Sequence, residues 1–297
     1  MSKILITGAS GLVGTRLTEM LIQQGHAVSH LGRAKKTGRI PSFSWDIEKG
    51  IIDEEAFTDA DTVIHLAGAG VADKRWNKKR KQEILTSRTQ STALLAHYLQ
   101  RYPTVKTVVS ASAIGYYGFG MTDREFTEDH TPGKDYLATV VQAWEGEVDK
   151  IQDKRVVKLR IGIVLSEKGG ALMEMAKPIR LGVGSPLGSG TQCMSWIHID
   201  DLCRMFIKAV EDSSLQGAYN ATGPYAVTNR ELTRAIAKTL HKPLWLPPVP
   251  AFVLSVVVGE MAVIVLNGSN VSSKKMQQTG FTFQFPTLEE ALQDLLS

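Results

Sequence analysis

Gly8, Gly11 and Gly14 recur at three-residue spacing behind the short apolar run Ile4-Leu5-Ile6, and Leu12, Leu17, Leu21 and Ile22 follow at helical spacing. The run is long enough for a buried strand and too short for a helix. A strand that enters a glycine turn and then a helix has a definite chemical use, the binding of dinucleotide phosphates. The first glycine permits the tight turn, the second lets a pyrophosphate approach the backbone, and the third lets the helix pack on the strand. Unpaired N–H groups at the helix start, around Ser10, Gly11, Leu12 and Val13, face the phosphates together with the positive end of the helix dipole. Spaced glycines without a strand and a helix around them would mark no more than a turn.

The end of the second strand selects the cofactor. A site for NAD places a carboxylate there to accept from the ribose 2′-hydroxyl, and that carboxylate repels a 2′-phosphate. Here the strand ends in Gly32-Arg33, with Lys35 and Lys36 close behind and no acid. The planar fork of an arginine matches a phosphate. The expected cofactor is therefore NADP, with NADPH preferred over NADH; one more surface charge is the plainer reading of Arg33.

These groups need a frame to hold them. Strands are expected at 27–31, 43–45, 62–66, 107–111 and 156–160, with helices over 78–99 and 135–152 and the first helix ending at Gly25. Such alternation makes a parallel sheet covered on both faces, with ligands at the carboxyl ends of its strands. The expected fold class is α/β, a Rossmann-type doubly wound parallel sheet with a smaller C-terminal substrate lobe. After residue 165 the alternation loosens. The segment 182–190 is glycine-dense without a strand before it, and Trp196-Ile-His-Ile-Asp-Asp201 opens a helix with carboxylates in its first turn. Further helices are expected near 228–240 and 288–295. The expected division is a nucleotide-binding core over 1–165, joined by segments near 193–222, and an α-rich lobe from 166–192 and 223–297.

Across 297 residues the chain is 43% hydrophobic and 22% charged, the balance of an ordinary globular protein with length to bury a core. A net charge of +4 is too mild to argue for nucleic acid. The basic run from Lys74 to Lys81 around Trp76 follows a strand and opens a helix, so it reads as a solvated face or cofactor-side loop. Cys193 and Cys203 fit neither a zinc site nor a disulfide framework; as buried thiols they suggest a reducing compartment and a cytoplasmic address. The first strand begins at residue 3, which leaves no room for a signal peptide. Residues 251–266 are the most apolar stretch, but Gly259-Glu260 interrupts them, and they fall short of the roughly 20 residues that span a bilayer. No membrane partner is expected; the stretch reads as a buried or interface-forming helix, which leaves a homodimer open. His198 with Asp200 and Asp201 could imitate a metal site, yet a strand end followed by an acidic helix start explains them more simply, and no metal is expected.

TGASGLVG, the HLAG after the strand at 62–66, the SASAIGYYG after the strand at 107–111 and SWIHIDDL together resemble the extended short-chain dehydrogenase/reductases, the group of nucleotide-sugar epimerases and dehydratases. More narrowly, the chain is similar to an atypical branch described as "epimerase family protein". That branch shares Arg75-Trp76, Lys81, Ile84 and Ser87-Arg88, the PLGSG-Q-SWIH block and a tail ending in GF-F-P-LE-AL. The resemblance spans residues 5 to 292 and implies fold and cofactor better than substrate. It implies an adenine contact from Asp46 and the backbone of Ile47, although an acid after a strand is also turn chemistry. It implies a nicotinamide-side wall from Leu66, Ala67 and Gly68, and Val164 beside the nicotinamide.

Relatives also pair a Ser or Thr after the strand at 107–111 with a Tyr-x-x-x-Lys on the next helix. The tyrosine exchanges a proton with the substrate oxygen, and the lysine lowers its pKa and holds the ribose. Ser112 matches the hydroxyl and Tyr136 the tyrosine, but Val140 stands where the lysine belongs, and a shifted register gives Leu137 and Val141. An unassisted tyrosine has a pKa of about 10, so about one in a thousand is tyrosinate at pH 7. That handicaps alcohol oxidation more than carbonyl reduction. Arg88 stands where extended relatives carry Asn; it could supply the missing positive charge and hold the cofactor, with Glu83 orienting it or touching a ribose hydroxyl. A solvated helix charge is the plainer reading. Tyr116 and Tyr117 are substrate walls or proton carriers. The expectation is an NADP-dependent oxidoreductase or epimerase-like enzyme acting on a small carbonyl or nucleotide-sugar substrate. Its rival, which the missing lysine favours, is a non-catalytic NADP(H)-binding sensor or scaffold.

Overall fold

The computed structural model describes residues 1–119 and 125–297. The first half contains β1 (Lys3–Thr7), α1 (Leu12–Gln23), β2 (Ala27–Gly32), β3 (Ser42–Asp46), β4 (Ile51–Ile52), α2 (Glu55–Thr58), β5 (Thr62–His65), α3 (Lys78–Leu99), β6 (Thr107–Ala113), β7 (Glu125–Phe126) and α4 (Tyr136–Val148). There follow β8 (Arg155–Ile161), β9 (Ile163–Leu165), α5 (Ala171–Arg180), β10 (Cys193–Met194), β11 (Trp196–His198), α6 (Ile199–Glu211) and β12 (Gly217–Ala221). The chain closes with β13 (Val227–Thr228), α7 (Asn229–Thr239), α8 (Ala251–Val258), α9 (Ala262–Leu266), β14 (Asn270–Val271), α10 (Lys274–Gln278) and α11 (Leu288–Leu296).

Ile4, Leu5 and Ile6 are no more than 1% exposed, because β1 lies inside an eight-stranded sheet of order β12-β8-β6-β5-β1-β2-β3-β4. Its pairings are parallel except that of β3 with β4. The chain runs from β1 outward through β2 and β3, then returns to the other side of β1 at β5. That reversal opens a crevice at the carboxyl ends of β1 and β5, the usual ligand position in such a sheet. Leu17 and Leu21 of α1 share one core cluster with Leu202 and Phe206 of α6. Leu95 and Leu99 of α3 share another with Phe57 of α2 and Leu5 of β1. Successive residues of β1 thus serve the two faces, as a two-residue period requires.

Local signals start the helices that carry the site. Asn77 caps α3 by accepting from Arg80 N at 2.8 Å, and Asp135 caps α4 by accepting from Ala138 N at 3.0 Å. The expected doubly wound parallel sheet is present, and α3 covers the expected residues 78–99. The second half contributes three further features. The segment after 165 contains α5, the β9–β11 pair is parallel, and β12 joins the main sheet beside β8. The stretch 251–266 also departs from the single helix expected. It is broken at Gly259, whose φ is +65°, and no residue of α8 is buried.

Candidate dinucleotide site

The three glycines meet three different constraints. Gly8 has φ +70°, and a Cβ on it would lie 2.7 Å from the carbonyl carbon of Leu66 and 2.9 Å from Ala67 N. The turn after β1 therefore touches the loop after β5 backbone to backbone. A Cβ on Gly14 would lie 2.5 Å from Gly8 O, so the start of α1 rests directly on the turn. Around a Cβ on Gly11 the one close atom is Gly8 O at 3.3 Å, and the remaining side is open to an approaching phosphate. A cavity of about 680 Å³ borders this turn, lined by Ser10, Gly11 and Leu12 on one side and Ser166, Gly170 and His198 on the other. Val13 packs against the main core. Val164 in β9 lies across the turn: a Cβ on Gly170 would be 3.9 Å from Val164 O and 3.4 Å from Leu12 Cδ2.

Thr7 fastens the two loops together. Its hydroxyl accepts from Leu66 N at 3.2 Å and Ala67 N at 3.3 Å, which leaves its proton for His65 Nδ1 at 2.8 Å. Nε2 of His65 then donates to the Thr92 hydroxyl at 3.0 Å, and Thr92 donates to Arg88 O at 2.7 Å. This directed chain assigns a neutral imidazole protonated on Nε2. Complete burial pushes the His65 pKa down to about 4.

Arg88 is no solvated helix charge. Nη1 donates to Ala69 O at 2.8 Å and Ile84 O at 3.0 Å, and the guanidinium lies 5.2 Å from the centre of the Trp144 ring. A Cβ on Gly68 would come within 3.2 Å of its Cγ and Cζ. Burial, chiefly, lowers its pKa to about 10. Glu83 does not orient it; that carboxylate pairs with Arg80 at 2.8 Å. Arg80 is itself 6% exposed and donates to Gly70 O.

At the end of β2, past Gly32, Arg33 is exposed and forms no ion pair or side-chain hydrogen bond among the described residues. Lys35 reaches Asp53 at 3.9 Å. Asp46 serves its own turn, accepting from Lys49 N at 3.0 Å and pairing with Lys49 Nζ at 3.2 Å; these bonds hold its carboxyl below the usual range. Ile47 packs beside the cluster of Leu5 and Leu31.

The catalytic candidates fall into two groups. Ser112 is 3% exposed and donates to Glu145 Oε1 at 2.6 Å. Glu145 in turn holds Arg160 through two bonds of 2.8 and 2.9 Å, with Lys158 at 3.4 Å. Burial alone would raise the Glu145 carboxyl, but the Arg160 guanidinium overrides it and keeps it low. Arg160 also lies 3.4 Å from the centre of the half-buried Tyr116 ring. Tyr117 belongs to the interior rather than the cleft. Its hydroxyl donates to Asn220 at 2.7 Å and accepts from Arg160 at 3.0 Å, and burial pushes its pKa up to about 12.

Tyr136 sits in the second group, where its hydroxyl donates to Lys81 O at 2.7 Å. Burial raises its pKa against the opposing charges of Arg88 and Arg80. The Lys81 ammonium lies 5.1 Å from its ring centre. The fold thus gathers Tyr136, Arg88 and Lys81 between α3 and α4, and sets Ser112 apart with Glu145. Sequence reasoning missed Thr7, His65 and Glu145 because each acts through a partner distant in sequence. The one outward sign, at Thr7 and His65, is a polar residue beside an apolar run.

His198, Asp200 and Asp201 fasten helices. His198 caps α6, accepting from Asp200 N at 3.1 Å. Asp200 holds Arg16 by two bonds of 2.7 Å, and Asp201 accepts from Gln284 N at 2.8 Å and Phe285 N at 2.9 Å. Among the described residues no group of three acids, histidines or cysteines could hold a metal. None of the described helices is long and apolar enough to cross a membrane.

Comparison with known proteins agrees with this architecture. The model of the "NAD dependent epimerase/dehydratase family" matches residues 4–222, and a "Domain of unknown function (DUF1731)" matches residues 249–295. The epimerase family protein YfhF of Bacillus subtilis is 36% identical, over 99% of this chain and 98% of its own. The human epimerase family protein SDR39U1, solved with NADPH, superposes with a TM-score of 0.89 at 31% identity, covering 99% of this chain and 98% of that one. The UDP-glucose 4-epimerase of Thermus thermophilus, solved with NAD, shares the fold at a TM-score of 0.76 and 21% identity, over 99% and 97% of the two chains. A glycine turn packed on the sheet's reversal point and a family match over most of the chain lead to one statement: this chain belongs to the NAD-dependent epimerase/dehydratase family, among its members called epimerase family proteins.

Proposed function

We propose that this protein is an NADPH-dependent oxidoreductase or epimerase-like enzyme that reduces a small carbonyl substrate, a nucleotide sugar being one such class. The observation that carries the reading is the pairing of an open Gly11 cradle with an exposed Arg33 past the end of β2, unengaged among the described residues. Gly8, Ser10, Gly11, Leu12, Val13 and Gly14 hold the pyrophosphate, and Arg33 the 2′-phosphate. Gly32, Asp46 and Ile47 border the adenosine, and Leu66, Ala67, Gly68 and Val164 the nicotinamide. The bound cofactor supplies a hydride. Tyr136, kept protonated by burial, suits the donation of a proton to a carbonyl oxygen better than its removal from an alcohol. Arg88 supplies the positive charge that a lysine gives in relatives. The bond from Ser112 to Glu145 supports the rival reading, a sensor that grips NADP(H) without turnover.

Titration of NADPH and NADH against wild type and Arg33→Ala tests the cofactor. A hydrogen bond to a charged group contributes about 1.5–3 kcal/mol, so NADPH should bind roughly 10- to 100-fold more tightly, and Arg33→Ala should remove most of the difference. Equal wild-type affinities would end the claim. A carbonyl and nucleotide-sugar panel with NADPH then separates enzyme from sensor. Slow reduction is expected, and no turnover across the panel leaves the sensor. Ser112→Ala lowers turnover by about 10²–10³ if that hydroxyl polarises the carbonyl. It lowers thermal stability alone if the hydroxyl serves Glu145.

A further inference from the structure

The helix α8 presents to solvent a face without a charge. Ala251, Phe252, Ser255, Val256 and Val257 are exposed, the three large ones at 72%, 73% and 65%. Its other side, Val253, Leu254 and Val258, is half-buried. A surface helix of a globular protein carries charged residues outward, and one that is apolar all round needs a partner. Beside this face runs the basic segment that opens α3. Arg75 Nη2 donates to Val256 O at 3.2 Å, and its guanidinium closes on Gly259. Lys81 pairs with Glu260, which fixes the turn after α8 to the core. Lys78, three residues before Lys81 and so on the same face of α3, is exposed and forms no ion pair among the described residues. Trp76 in this segment is 7% exposed and packs near Met261, so the segment and the turn after α8 share one cluster.

We propose that α8 and the adjoining lysines form a docking surface for an anionic lipid bilayer, on which the helix lies in the interfacial plane. At eight residues it cannot cross the hydrocarbon, but an apolar helix face beside lysines is the arrangement that binds an anionic lipid surface. Charge favours this occupant over a second copy of the chain. A two-fold interface centred on α8 sets each basic segment close to its own image, and like charges repel. A bilayer of anionic headgroups meets both features at once.

The test is sedimentation of the full-length protein, saturated with NADPH, with phosphatidylcholine vesicles containing or lacking phosphatidylserine. Binding is expected with phosphatidylserine and should weaken as salt is raised. Phe252→Ser with Val256→Ser, and separately the charge reversal Lys78→Glu, should each lower the partition by at least tenfold. Each lysine near the surface is worth about fivefold. NADPH affinity should be unchanged in both variants, which reports that the fold is intact. Failure of the wild type to bind phosphatidylserine vesicles at low salt overturns the proposal. So does a concentration-dependent dimer in analytical ultracentrifugation that Phe252→Ser with Val256→Ser dissolves, because the face is then an interface between copies.

Discussion

Arg88 is held from three sides, by two backbone carbonyls, the Trp144 ring and the glycine loop after β5, so its position is set before any ligand arrives. Such preorganisation suits a charge that must act at one point. Arg88→Ala should weaken NADPH binding or abolish turnover while the fold persists, and Arg88→Lys should restore part of the loss, because the planar fork is gone. Isothermal titration with circular dichroism of the same samples checks this; unchanged affinity and unchanged turnover in Arg88→Ala would return the residue to a packing role. At this scale the sequence was partly legible. The glycines declared themselves because backbone constraints act between near neighbours. That Ser112 faces Glu145, or that Glu83 turns to Arg80, was not legible. The first depends on how α4 packs on β6, of which spacing within one segment carries no trace, whereas the second joins residues three apart in α3 and shows only when Arg80 is weighed as the partner beside Arg88.

The unit made by β1, its turn and α1 depends on the absence of two side chains. Gly14→Ala places a methyl 2.5 Å from Gly8 O and 2.7 Å from Ala9 Cα, both backbone atoms that cannot swing aside. Lifting α1 from the turn should cost about 1–3 kcal/mol, as overpacking does, and should weaken nucleotide binding by more than tenfold. Chemical denaturation and a nucleotide titration measure the two effects; a stable variant with native affinity would mean that the helix start has slack. Elements with strong local signals were read almost to the residue. The 22 residues of α3 follow a capping Asn77. By contrast β12, Gly-Ala-Tyr-Asn-Ala, has neither an apolar run nor alternation, and it is a strand because β8 presents an unpaired edge. The stretch 251–266 is a mixed case: of the buried or interface-forming helix that its apolarity suggested, burial fails, because Gly259 breaks the stretch and leaves α8 outside.

For the molecule as a whole, acid is the condition that should expose the importance of the buried histidine. His65 has a folded pKa of about 4, below its ordinary value of 6.5, so the folded state binds fewer protons than the unfolded chain between those values. Stability from this group is full above pH 6.5 and falls as pH drops toward 4, by about 3 kcal/mol in all. Urea unfolding from pH 7 to 4.5 should show the loss, and His65→Gln should be less stable at pH 7 but flatter with pH. An equally steep profile in His65→Gln would place the acid sensitivity elsewhere. The order of strands in the sheet has a consequence for how the protein is made. β8, with Val157 and Leu159 fully buried, is covered on its outer edge by β12, some sixty residues later, and α1 rests on α6 from the same late stretch. A ribosome that has released the first 165 residues has therefore released every glycine of the nucleotide turn but not the strand and helix that shelter the sheet. Until β12 emerges, the nascent chain carries the outer edge of β8 unpaired, the kind of edge that invites pairing with another chain.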